Sequence, residues 1–172
     1  MTDETVAGAH RTWSVSVDRH EFLSPRTFDE VVAGVRAGLG TPDFAELRAK
    51  LDALADWTEF SDAIDSAAGT SGLIVFLELD LGAVLDRDPR ASGYKLVRII
   101  AGNPITMAAM TRSTPAAGAF APVTVLVYEA SDGVHCRYDT LASAVGPELT
   151  VDAAVTANKL DAAVLNLLSS AL

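Results

Sequence analysis

At 172 residues, 49% of them hydrophobic, the chain is long enough to bury a sizeable core as one domain. A formal net charge of −10 argues against nucleic acid and anionic membrane surfaces as partners, since both recruit clustered Lys and Arg. No apolar run approaches the roughly 20 residues needed to cross a bilayer, the N-terminus MTDETVAGAH has no leader pattern, and a single cysteine, Cys136, precludes an internal disulfide. These features predict a cytoplasmic protein, with residues 1–10 as a disordered tail and residues 11–172 as one α/β domain.

Thr12 to His20 alternates Trp13, Val15 and Val17 with Ser14, Ser16 and Asp18, which predicts a first strand with one buried face. Thr27-Phe28-Asp29-Glu30 has capping-box spacing, and Phe28, Val31, Val32, Val35 and Leu39 follow at helical intervals until Gly40. Thr41 as cap and Pro42 at the first helical position predict a second helix, with Phe44, Leu47, Leu51 and Leu54 along one face. A third helix is expected from Thr58 to Ala68.

Gly72 to Leu79 (GLIVFLEL) and Tyr94 to Ala101 (YKLVRIIA) are apolar runs suited to core strands, interrupted by Glu78 and Arg98 respectively. Gly102-Asn103-Pro104 ends the second run and starts a helix, with Asn103 as cap and Met107 and Met110 facing inward. Thr114 to Ala121 reads as a loop and Pro122 to Glu129 as a third core strand. The Ser131-Asp132-Gly133 turn then leads into a returning strand from Val134 to Tyr138. From Thr150, Val151, Val155, Leu160, Val164, Leu167 and Leu168 keep the spacing of a closing amphipathic helix. The expected fold is α+β or mixed α/β: a single mixed sheet of about five strands covered by helices, with an inserted helical pair at residues 43–68.

The succession Ala101-Gly102-Asn103-Pro104, Met110, Pro115, Pro122, Val125-Leu126-Val127-Tyr128-Glu129, Asp132-Gly133 and Tyr138-Asp139 resembles the family catalogued as domain of unknown function 302. The resemblance covers about residues 72–145 and implies a compact α/β domain, a homodimer, and no established activity. Relative to the family pattern, Asp80-Leu81 stands where Asp-His is usual. Ala101 replaces a phenylalanine before Gly102-Asn103-Pro104, which would open space for a ligand beside that turn.

Charge is unevenly distributed. Residues 1–70 hold thirteen acidic and six basic side chains, whereas Arg87 to Arg112 holds five basic groups against Asp88 alone. That island serves either an anionic small molecule or salt bridges to the acidic half. Glu78 and Arg98 interrupt apolar strands, so each must pair or face a cavity. If their strands are neighbours, Glu78, Asp80 and Arg98 would share one pocket walled by Phe76, Tyr94, Met107 and Tyr128, with Asn103 as a further ligand-binding candidate; a buried ion pair at a dimer interface is the alternative. The start of the helix at Asn103 could hold an anion or serve only as a capped turn.

His10, His20 and His135 have no ligand spacing, and no hydrolase elbow, metalloprotease helix, phosphate loop or dinucleotide fingerprint occurs. No metal or cofactor is therefore expected. His135 and Cys136 are adjacent on a strand and point to opposite faces, which leaves Cys136 as a buried inert thiol. The leading expectation is a homodimeric small-molecule binding or accessory domain for an apolar or anionic ligand. The alternatives are a metal-independent enzyme with Glu78 or Asp80 as acid/base and Arg98 as electrostatic stabiliser, and a protein-interaction or scaffold subunit.

Overall fold

The computed structural model describes residues 10–91 and 93–172. Most of the expected N-terminal tail, residues 1–9, lies outside them. Five strands form one sheet: β1 (Arg19–Ser24), β2 (Ile74–Asp80), β3 (Leu96–Gly102), β4 (Val123–Ala130) and β5 (Gly133–Asp139), in the spatial order β1-β5-β4-β3-β2. All four pairings are antiparallel; a parallel bridge joins Gly40 to Ile74. The helices are α1 (Phe28–Ala37), α2 (Phe44–Asp52), α3 (Trp57–Ala67), α4 (Gly82–Leu85), α5 (Pro104–Thr111), α6 (Leu141–Val145) and α7 (Val151–Ala171). The architecture is α+β, and α2 and α3 form the helical pair expected between α1 and β2. No helix among the described residues is long and apolar enough to cross a membrane.

Alternation along the three inner strands sorts their two faces. Val97, Ile99 and Ala101, then Val123, Val125 and Val127, then Val134, Cys136 and Tyr138 all point into the core, where α1, α5 and α7 pack. The opposite face carries Leu96, Arg98, Ile100, Thr124, Leu126, Tyr128, His135 and Arg137 and is only partly shielded.

Local chemistry fixes the element ends. Thr27 and Glu30 close the predicted capping box on α1, with the Thr27 N–H donating to Glu30 Oε2 at 2.9 Å. The β4–β5 turn is two residues, Ser131-Asp132. Gly133 follows at φ +141°, where a Cβ would stand 2.8 Å from the Ser24 carbonyl oxygen.

Five expectations shift. The first strand lies at Arg19–Ser24 rather than at Thr12–His20, and Trp13, Val15 and Val17 are exposed. The cap of α2 is Asp43, which accepts the Ala45 and Glu46 N–H groups, rather than Thr41; no residue of α2 is buried, so its apolar face is only half-covered. Met110 is fully buried as expected, but Met107 is exposed. On α7 the inward face begins at Ala153, leaving Val151 and Val155 exposed. Within the expected loop, Pro115–Ala119 winds into a 3-10 turn.

Candidate functional site

The predicted single pocket divides into two because of one bulge. Val75 lies opposite Ala101 and Leu77 opposite Ile100, so Phe76 is an extra residue on β2. In an unbroken ladder Phe76 would pair with Ile100 and Glu78 would stand directly across from Arg98. With the bulge, Glu78 is paired to Ile99 and Leu79 to Arg98, and the one-residue shift carries every later side chain of the strand to the other face. Glu78 therefore sits on the helical side, where the Arg36 guanidinium of α1 donates to both its oxygens, the Nε bond being 2.9 Å. That hydrogen-bonded pairing raises Arg36 above its ordinary value. Arg98 points to the opposite face, and its Nη2 lies 3.5 Å from Thr124 Oγ1.

Asp80 does not enter a pocket either: its Oδ1 accepts the Ala83 N–H at the start of α4. Tyr94 precedes β3 and is exposed. The trio Glu78, Asp80 and Arg98 is thus not brought together, and neither carboxylate stands beside the arginine as the acid/base arrangement requires. The basic island divides as well. Lys95 reaches Asp29 in the acidic half at 3.3 Å, and Arg90 closes on its neighbour Asp88 at 2.8 Å. Arg98 meets no carboxylate among the described residues.

Three of the predicted lining residues do converge. Phe76, Asn103 and Met107 border a cavity of about 430 Å³ together with Gly102, Pro122 and Leu160. The bulge supplies Phe76, whose ring packs on Phe44 of α2 at 5.6 Å between centroids. Gly102 allows the walls to meet closely, since a Cβ there would lie 3.2 Å from Pro122 Cβ and 3.3 Å from Phe76 Cε2. Asn103 holds the start of α5, with Oδ1 accepting from Ile105 N at 2.8 Å and Thr106 N at 3.3 Å and Nδ2 donating to the Gly72 carbonyl at 2.9 Å. Those donors are engaged by the protein itself, so the helix start acts as a capped turn. The cavity offers almost purely hydrocarbon contact. It lies beside the Gly102-Asn103-Pro104 turn.

On the other face, a cleft of about 640 Å³ is lined by Arg19, Arg98, Arg137, Thr124, Leu126 and Phe120 among others. Tyr128, predicted as a wall, stands toward the β1 side in a separate network. Its hydroxyl donates to Glu21 Oε1 at 2.7 Å, its ring stacks on His135 at 4.8 Å, and Arg137 donates to the same carboxylate oxygen at 2.5 Å. The Tyr128 hydroxyl and then Arg137 hold Glu21 below the usual carboxylate range. His135 Nε2 faces Asp132 at 2.9 Å, while its buried Nδ1 has no hydrogen-bond partner among the described residues. Cys136, on the reverse side of the strand, is fully buried, and desolvation pushes its thiol up to about 11.

Sequence reasoning did not find Asp161, a buried carboxyl on α7 that accepts the Leu141 and Ala142 N–H groups and the Tyr138 hydroxyl. No short motif marks it; its signal is only an acidic residue among Leu160, Val164 and Leu167 on the inward stripe. No group of three or more metal-ligating side chains converges among the described residues.

A crystal structure of uncharacterized conserved protein DUF302 from Bacillus stearothermophilus superposes with a TM-score of 0.62 at 12% sequence identity, covering 90% of this chain and 98% of that one. None of the curated proteins matches the chain. The family model for the domain of unknown function DUF302 matches residues 47–167, which takes in the cavity, the bulge and Asp161. The chain belongs to the DUF302 family.

Proposed function

We propose that the protein is a small-molecule binding or accessory domain that takes an uncharged apolar ligand in the cavity beside Gly102-Asn103-Pro104. The observation that carries this reading is the cavity itself: about 430 Å³ between Phe76, Met107, Pro122 and Leu160, with its one amide side chain already satisfied. Its volume falls in the range of small-molecule sites, and its hydrocarbon walls favour ligands that gain by leaving water. Filling it is compatible with the backbone at Gly118, where a Cβ meets only Thr111 Cγ2 at 3.5 Å. The homodimer implied by the family resemblance is part of the proposal, and native mass spectrometry tests it. A cytoplasmic location is also part of it, supported by the buried, unpaired Cys136.

The test is a thermal-shift screen with neutral aromatic and aliphatic fragments, followed by NMR of the Met107 methyl group. Fragments that raise the melting temperature should shift that methyl, and Gly118→Leu should abolish both effects. A screen in which no neutral fragment stabilises the protein, or in which Gly118→Leu leaves the response intact, refutes the reading.

A further inference from the structure

We infer that the cleft on the open face of the sheet is a second, separate ligand site, for an organic monocarboxylate with an apolar body, anchored by Arg98. Three arginines line this cleft, and two of them are already engaged. Arg19 donates through Nε and Nη2 to the two oxygens of Asp139, at 2.6 Å each. Arg137 is held by Glu21 and by the Tyr128 hydroxyl. Arg98 has only the long contact to Thr124 and no carboxylate within salt-bridge distance among the described residues. It rises from the middle of the sheet between Leu79 on β2 and Leu126 on β4, so its stem lies on apolar surface and its planar fork is free.

The ligand class follows from this arrangement. A guanidinium without a partner binds a carboxylate through two parallel N–H···O bonds, with Thr124 Oγ1 close enough to take part. Phe120, Leu126 and Leu81 offer the apolar body a surface, and about 640 Å³ accommodates a bicyclic or medium-chain acid. One uncommitted positive charge, with Asp139 also lining the cleft, suits a monoanion; a phosphate dianion would meet repulsion there and no second free cation. The site shares Pro122 and Val123 with the apolar cavity but opens on the opposite face of the sheet.

Naphthalene-2-carboxylate and its neutral counterpart 2-naphthamide, titrated into isotope-labelled full-length protein, separate charge recognition from apolar burial. The carboxylate should move the amide signals of Arg98, Leu126 and Phe120. Arg98→Met should weaken it about 10-fold without changing the amide, because a lost charge-assisted pair amounts to roughly one decade of affinity. Arg98→Lys should fall between the two, keeping charge without the fork, and Phe120→Ala should weaken both compounds. Equal carboxylate affinity in wild type and Arg98→Met overturns the inference, as does the absence of any binding. Shifts confined to Phe76 and Met107 overturn it as well, while leaving the apolar site standing. A change of native mass in Arg98→Met with unaltered binding would also overturn it, assigning Arg98 to contact between copies.

Discussion

The Tyr138 hydroxyl of β5 donates to Asp161 of α7 at 2.5 Å, while the same carboxyl accepts the first two N–H groups of α6, from Leu141 at 2.8 Å and Ala142 at 3.0 Å. One buried acid thus ties the last strand, a five-residue helix and the closing helix together. Asp161→Ala leaves three donors without an acceptor and should cost about 3 kcal/mol, Asp161→Asn less, and Tyr138→Phe about 1 kcal/mol. Urea unfolding with an unchanged m-value measures this order. An Asp161→Ala protein within about 0.5 kcal/mol of wild type would remove the carboxyl from any structural role.

Much of the architecture was readable because its signals are local. The Thr27–Glu30 box, the Asn103-Pro104 start and the alternation of β4 and β5 each lie within a few residues, and the structure keeps them all. The first strand begins later than its alternation predicts, for a non-local reason. Trp13, Val15 and Val17 alternate like a strand, but the partner β5 ends at Asp139 opposite Arg19, and beyond it the Thr140 N–H donates to the Asp18 carbonyl as the chain turns into α6. Alternation states that a segment can cover a face; the length of the partner decides whether it does. The expected meeting of Glu78 with Arg98 is undone by a feature of the same kind. Glu78 and Arg98 would meet in an unbroken ladder, and the extra residue Phe76 separates them while bringing its own ring to the apolar cavity. No residue type in GLIVFLEL announces that bulge. Asp161 has no local signature because its partners lie about 20 residues away along the chain.

Cys136 lies between Phe22 and Val127 in the ladder with its thiol pushed up to about 11 by desolvation. Both effects deny a disulfide reagent the thiolate. At neutral pH, native protein should react with such a reagent at least about 100-fold more slowly than urea-unfolded protein, through transient opening alone. A native rate within about 10-fold of the unfolded rate would place the thiol at the surface, contrary to its packing.

Arg36 and Glu78 join α1 to the edge strand β2 by a two-pronged pair that is half open to solvent. Exposed pairs of this kind contribute little, and a double-mutant cycle of Arg36→Met with Glu78→Gln should give a coupling of about 0.5–1 kcal/mol, smaller in 1 M salt. The same Glu78→Gln variant should bind neutral fragments and naphthalene-2-carboxylate like wild type, since Glu78 lines neither cavity. A binding defect in Glu78→Gln would restore the carboxylate to the site.

The β1–β5 edge makes stability depend on acid in a defined direction. Arg19 holds Asp139 below the ordinary carboxylate range, and the Tyr128 hydroxyl with Arg137 does the same for Glu21. Both acids release their protons more readily in the folded chain than in the unfolded one. Their contribution is therefore fully present above the unfolded values near pH 4 and is lost as pH falls through the lower folded values. Melting temperature should fall as pH drops from about 5 to 3, and Asp139→Asn or Glu21→Gln should each make that fall shallower while lowering stability at pH 7. Raising salt should weaken the Arg19–Asp139 share first, because that pair is the more exposed of the two arginine pairings on the arginine side, 58% for Arg19 against 37% for Arg137. A pH profile of Asp139→Asn and Glu21→Gln together that still parallels wild type would mean that other carboxylates carry the acid sensitivity.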